Sequence, residues 1–161
     1  GTTGIQAMDL LGRKVIMQNG RAFNLFCAEI GKAVEAGKQV EDLQGRAADL
    51  EKALGDLNQV TGYLVSVAQA RGADVFLADA TLYLEAFGVV AVAWQWLLQA
   101  LAAHAALEKR RSQSETDFYN GKLFAFRYFF SYELPKIEGL FRRLRENDPL
   151  TVDMQTRYFT D

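Results

Sequence analysis

Apolar residues recur along this chain at spacings of three and four, the period of a helix with one buried face, and no convincing strand alternation interrupts them. Ile5, Met8, Leu11 and Val15 predict a first helix near 5–16. The Gln18-Asn19-Gly20 run predicts a turn, since Asn and Gly tolerate positive φ. Phe23, Phe26, Cys27, Ile30 and Val34 then predict a second helix near 21–36. A third, near 40–70, carries Leu43, Ala47, Leu50, Leu54, Leu57, Leu64 and Ala68 on one side; Glu41, Arg46, Glu51, Lys52 and Asp56 form its solvated side, and Thr61 interrupts the apolar stripe. Gly72 is its natural stop. Residues 73–80 read as an irregular connection, with Asp79 or Thr81 capping the fourth helix, near 81–109.

That fourth segment is uncharged for twenty-two residues between Glu85 and Glu108, long enough to span a bilayer. Eight of the twenty-two are the weakly hydrophobic Ala, and Gln95, Gln99 and His104 are polar, so the centre of a helical bundle is the better reading. Trp94 and Trp96 lie on different faces, so at least one should meet the last long helix, near 114–144. In that last helix Leu123, Phe126, Phe130, Leu134, Ile137, Phe141 and Leu144 fall within about 80° of one another and predict a core stripe. Of the chain's nineteen aromatic residues, eight lie between Phe118 and Tyr132, which predicts that other helices pack around this half. Ser114 or Thr116 is the expected cap. Pro135 removes an amide and crowds the preceding turn, predicting a kink between Phe130 and Leu134. A tail follows from Asp148, with a short helical candidate at Val152 to Tyr158. The fold class is therefore all-α: an up-down antiparallel bundle of about five helices, the fourth and fifth in the middle.

Half the residues are hydrophobic and only two are proline, which suits packed helices in one domain. A net charge of −2 points to neither nucleic acid nor an anionic membrane surface. Cys27 is the one cysteine, so no internal disulfide exists, and a reducing compartment is mildly favoured. Gly-Thr-Thr-Gly at the start has no initiator Met, basic stretch or apolar leader, and reads as a cut inside a longer protein.

One His and one Cys supply no zinc set and no Cys–His dyad. His104 on an Ala-rich helix reads as a core or edge histidine, and Cys27 as a small buried hydrophobe. Glu85 and Glu133 flank apolar helices, where a buried acid with a raised pKa is one reading and a solvated helix-end carboxylate the commoner one. The pairs Arg110-Arg111 and Arg142-Arg143 are too short and too offset by acids for a phosphate track.

Gly1-Thr2-Thr3-Gly4-Ile5-Gln6-Ala7-Met8-Asp9-Leu10, followed by Gly12-Arg13-Lys14, resembles the end of the catalytic region of acyl-CoA dehydrogenases. Tyr83-Leu84 with Phe87, Asp117-Phe118-Tyr119, Gly121-Lys122-Leu123 and Glu133-Leu134-Pro135 resemble the helical C-terminal extension of the larger bacterial members, some of which act on 3-methylmercaptopropionyl-CoA. The resemblance implies a flavoprotein in which a glutamate removes the α-proton of an acyl-CoA thioester and FAD takes the β-hydride, with an electron-transfer flavoprotein reoxidising the flavin. It places that glutamate just before Gly1, so no catalytic residue lies in this sequence and the fragment alone is expected to be structural and inactive. It matches Gly1 to the amide that helps hold the thioester carbonyl, a form of oxyanion stabilisation, and Thr2 to a residue near the FAD diphosphate. Gly4 stands where many relatives carry a polar residue close to FAD. On this reading 1–20 close the catalytic helical domain, 21–147 form the extension domain and 148–161 the tail. The implied setting is cytoplasmic, with the rest of its own chain as partner and a homo-oligomer as the assembly. From the residues alone, a stand-alone helical interaction domain with an aromatic groove for a partner helix stays open as the alternative.

Overall fold

The computed structural model describes residues 1–160, and they form helices and connecting turns. In order these are α1 (Thr3–Asp9), a π-turn (Leu10–Lys14), α2 (Met17–Lys38), α3 (Gln44–Arg71), α4 (Ala73–Leu77), α5 (Ala80–Leu107), α6 (Gln113–Tyr128), a second π-turn (Phe129–Glu133), a 3₁₀ turn (Leu134–Lys136), α7 (Ile137–Glu146), α8 (Leu150–Asp153) and a last 3₁₀ turn (Thr156–Tyr158). The long pieces match the five predicted helices. Inside the first turn of α2, Gln18, Asn19 and Gly20 have φ of 51°, 55° and 76°, so the predicted break is there and α2 proper starts after it. Gly72, at φ 88°, ends α3.

The packing centre is α5. Its ridge Tyr83, Ala86, Val90, Ala93, Leu97 and Ala100 is wholly enclosed, with α1, α2, α3, α6 and α7 all packed against the helix. Small residues let the helices come close: at Gly37 of α2 a Cβ would stand 2.9 Å from the Ala47 Cβ of α3 and 3.1 Å from Leu97 of α5. Where the α3 stripe is interrupted, Thr61 solves a polar problem set by Tyr83. The Thr61 hydroxyl donates to the Leu57 carbonyl at 2.7 Å, which leaves it as acceptor for the Tyr83 hydroxyl, also at 2.7 Å. The far end of the bundle is tied by Arg71 donating to the Asn147 carbonyl at 2.9 Å and by Arg143 meeting Asp79 at 3.1 Å. Asn147 ends α7 in the left-handed conformation at φ 43°.

On the last helix the predicted core stripe is buried from Phe126 through Phe130, Leu134, Ile137 and Phe141 to Leu144, with Leu123 half-buried at its start. The kink falls where Pro135 predicted it, as the π-turn followed by the 3₁₀ turn.

Four expectations are corrected. Other helices do not surround α6: Phe118, Phe124, Tyr128 and Tyr132 stay exposed, because the core stripe alone fills the space against α5. The fifth helix is accordingly peripheral, and α5 itself keeps a bare ridge at Glu85, Val92, Gln95 and Gln99. The cap of α6 is Ser112 rather than Ser114 or Thr116. Its Oγ accepts from the Glu115 amide at 3.3 Å while the Ser112 amide donates to the Glu115 carboxylate at 3.0 Å, a reciprocal capping box. Residues 73–80 hold a short helix, α4, that buries Phe76, and Asp79 precedes α5 without a side-chain capping bond.

Candidate functional site

The N-terminal edge is where the resemblance places Gly1 and Thr2. Both are exposed. Thr2 precedes α1, its carbonyl accepting from the Gln6 amide and its Oγ1 from the Gln6 Nε2, each at 2.9 Å. A hydroxyl that accepts from an amide keeps its own proton free to donate outward. A Cβ at Gly1 or Gly4 would meet nothing within 4 Å, so this edge is open rather than walled. α1 is held from behind by Ala7 and, through the π-turn, by Leu11 and Val15, all buried; Ile5 and Met8 on its outer side are bare. Arg13 and Lys14 converge on Asp9, and the Arg13 hydrogen bonds above all hold its carboxyl below the usual carboxylate range.

Behind that edge lies a small apolar cleft of about 110 Å³ lined by Leu10, Lys14, Val15, Ala22, Phe23, Phe26 and Phe87. Phe26 and Phe87 stack at 4.6 Å and Trp94 meets Phe26 edge-on at 5.9 Å. This is far below the ~300 Å³ of the smallest ordinary ligand pockets and cannot enclose a flavin or an acyl chain. A second cleft, about 210 Å³, opens where the last helix kinks away from α3. Phe130, Leu134 and Ile137 form its floor, and its rim balances Arg46 and Lys52 against Asp49, Asp56 and Glu138. Arg46 crosses it to donate to Ser131 at 3.0 Å.

The remaining candidates are structural. Cys27 is half-buried with Sγ 3.9 Å from the Asn58 side-chain oxygen; burial pushes its thiol up, away from a reactive thiolate. Burial likewise pushes the Tyr83 phenol well above its ordinary value. Glu85 is exposed and Glu133 pairs with Lys136 at 2.6 Å, so both are helix-surface carboxylates. His104 lies 3.9 Å from Glu108 at the end of α5. Trp96 is covered by Lys122 of α6 at 5.9 Å, which fulfils the expected meeting of a tryptophan with the last long helix. Among the described residues no group of three His, Cys, Asp or Glu side chains could hold a metal. The exposed aromatic face of α6 is a surface feature that the core periodicity alone does not predict. Its signal was present as a second stripe, Phe124, Tyr128 and Tyr132 at four-residue spacing.

The residues that are present thus fit part of a cofactor site. Thr2 can offer a hydroxyl proton and the start of α1 its amides, while no described cleft includes Gly1 to Gly4.

Known proteins resemble this chain along most of its length. The family described as acetyl-CoA dehydrogenase C-terminal like matches residues 26–155. The broad-specificity linear acyl-CoA dehydrogenase FadE5 of Mycobacterium tuberculosis is 31% identical over 161 residues, covering 95% of this chain and 26% of that protein. Butyryl-CoA dehydrogenase of Syntrophomonas wolfei is 28% identical over 154 residues, covering 95% of this chain and 25% of that protein. The 3-methylmercaptopropionyl-CoA dehydrogenase of Ruegeria pomeroyi is 34% identical over 113 residues, covering 68% of this chain and 18% of that protein. The chain therefore spans about a quarter of the length of the first two relatives, and the match to the family runs from inside α2 to the residues just after α8. An all-helical bundle over those residues, matched along most of its length, is the C-terminal domain of the acyl-CoA dehydrogenase family, and the chain belongs to it.

Proposed function

We propose that this domain closes the C-terminal side of an FAD-dependent acyl-CoA dehydrogenase that oxidises an acyl-CoA thioester between its α and β carbons. The observation that carries this reading is the family match, joined to a first helix whose inner side is anchored in the bundle while its start and outer side are open. FAD, when bound, supplies the hydride acceptor. The chain's own part is to position. Ala7, Leu11 and Val15 fix α1 against the core, so the first residues have a defined direction. Thr2 donates its hydroxyl proton toward the FAD diphosphate, and the Gly1 amide, as a peptide N–H in a longer chain, donates to the thioester carbonyl.

On this reading 1–20 complete the catalytic helical region, 21–147 form the extension domain and 148–161 its tail. The helix break at Gln18 to Gly20 supports the first border, although the core runs across it. The glutamate just before Gly1 is the base, an electron-transfer flavoprotein takes the electrons, and the enzyme is cytoplasmic and homo-oligomeric. Thr2 is tested in the longer protein: Thr2→Val should weaken FAD retention about ten- to a hundredfold, the value of one hydrogen bond to a charged group. Unchanged flavin occupancy after extensive dilution would remove Thr2 from the cofactor site.

A further inference from the structure

An asparagine followed by glycine is prone to lose its side-chain amide spontaneously, because no side chain shields the following backbone nitrogen. The chain carries this pair twice, at Asn19-Gly20 and at Asn120-Gly121. Both asparagines are exposed, so exposure does not separate them. Their backbones do.

Asn120 and Gly121 lie in the interior of α6. There the Gly121 amide is held, as in any helix interior, to the carbonyl four residues back. A Cβ at Gly121 would meet nothing within 4 Å, so the helix and not crowding protects this pair. Opening it means unwinding a turn that carries Leu123 and Phe126 of the core stripe.

Asn19 and Gly20 stand instead in the break before α2 proper. Their φ/ψ are 55°/40° and 76°/15°, with Gln18 ahead of them at 51°/44°. Residues with side chains visit this left-handed region singly, so two in succession store strain. The Gly20 amide donates to the Ile16 carbonyl at 3.2 Å, the long end of the ordinary range. Residues 16–19 are all exposed, so opening the turn uncovers no core side chain and relieves the left-handed residues.

We propose that Asn19 is a site of spontaneous deamidation in the folded chain, and that Asn120 is protected. When the turn opens, rotation about the Asn19 ψ brings the Gly20 nitrogen to the side-chain Cγ. That nitrogen gives up its proton and attacks, a cyclic imide closes, and the side-chain nitrogen leaves as ammonia. Water then opens the ring at either carbonyl. The products are aspartate and, with the main chain rerouted through the side chain, isoaspartate. Water is consumed, ammonia is released, and nothing is oxidised or reduced. Either product places a negative charge just before α2 proper, where the helix dipole favours an anion. Isoaspartate also adds a carbon to the main chain between two buried anchors, Val15 and Phe23, and so lengthens the link from the first helical segment to the bundle. The assignment is independent of the flavin reading.

The test incubates the 161-residue protein at mildly alkaline pH, folded and in urea, and follows each asparagine by peptide mass. Trypsin cuts after Lys14 and Arg21 and after Arg111 and Lys122, so the two pairs fall in separate peptides. Digestion at mildly acidic pH arrests the reaction. Conversion registers as the exchange of NH2 for OH, and isoaspartate as methyl label accepted from S-adenosylmethionine through an isoaspartyl methyltransferase. In the folded protein Asn19 should convert at least about tenfold faster than Asn120, the effect of roughly one more hydrogen bond to open. In urea the two should convert at comparable rates. Asn120 converting as fast as Asn19 in the folded protein would overturn the proposal. So would an Asn19 that reacts in urea and is stable when folded. The same ratio in both conditions would assign the preference to sequence neighbours and overturn the role of the turn.

Discussion

Replacing Thr61 by Val should destabilise the bundle more than replacing Tyr83 by Phe, although Tyr83 is much the larger residue. Thr61 is 6% exposed and Tyr83 wholly enclosed, and their hydroxyls are 2.7 Å apart. Thr61→Val keeps the shape but leaves the Tyr83 O–H buried without an acceptor, at a cost of about 1–3 kcal/mol. The Leu57 carbonyl also loses the Thr61 hydroxyl, but it remains the acceptor of an ordinary helical N–H bond. Tyr83→Phe removes one hydrogen bond and strands nothing, since the Thr61 hydroxyl still donates to Leu57, so about 0.5–1.5 kcal/mol is expected. The double variant has no stranded donor and should cost less than the two singles together, by roughly 1 kcal/mol. Equilibrium urea unfolding followed by far-UV circular dichroism measures all four proteins, provided the slope with denaturant stays constant. The pair also sets an alkaline limit. The folded-state pKa of Tyr83 is raised above its unfolded value by burial, so its contribution is complete below pH ~10 and falls as pH rises past that point, by up to ~1.4 kcal/mol per pH unit. Tyr83→Phe should abolish that component. Costs that simply add, or a Thr61→Val variant more stable than Tyr83→Phe, would refute the donor–acceptor assignment.

Two further variants test the packing and the cap. Gly37→Ala gains about 1 kcal/mol of helix propensity but drives a methyl against Ala47 and Leu97, so a net loss of about 1 kcal/mol is expected in the same urea titration. Ser112→Ala removes the cap of α6 and should cost about 1 kcal/mol, with Ser112→Gly losing only a few tenths. The box also has an acid limit. Backbone and side-chain hydrogen bonds from Ser112 hold the Glu115 carboxyl below its usual range, so its contribution is present above the ordinary carboxylate pKa and is lost as pH falls through the lowered one.

How far the sequence reveals this molecule depends on which side of a helix carries the information. The core stripes are legible because burial repeats at the helical period, and Phe126 to Leu144 could be placed residue by residue on that ground. The breaks at Gln18 to Gly20, Gly72 and Pro135 are legible because each residue restricts or frees a backbone angle. Apolar character on the other sides of a helix is ambiguous: it reads equally as more core or as open surface. That is why the aromatic face of α6 was expected inside and lies outside, and why α5 has a bare ridge. Position of the cap was missed for a local reason, since Ser112, Ser114 and Thr116 are chemically similar and only Ser112 stands three residues before a glutamate. Thr61 could be seen as an interruption, but the partner that explains it is twenty-two residues away, on another helix. As for the candidate site, Gly1 and Thr2 are marked by resemblance and by no periodicity, because an open chain edge has no burial pattern to read.

If the bundle closes an acyl-CoA dehydrogenase as proposed, the longer protein takes a proton from an acyl-CoA and passes a hydride to FAD. The direct measurement is the rate at which the flavin band bleaches when the longer protein, carrying the sequence upstream of Gly1, is mixed with an acyl-CoA in a stopped-flow spectrometer. The expected result is a yellow protein whose band bleaches. Changing the glutamate immediately before Gly1 to glutamine should leave flavin binding intact and slow bleaching by ~10²–10⁴-fold, the contribution of a general base. A longer protein that binds no flavin, or a glutamine variant that bleaches at the unaltered rate, would contradict it.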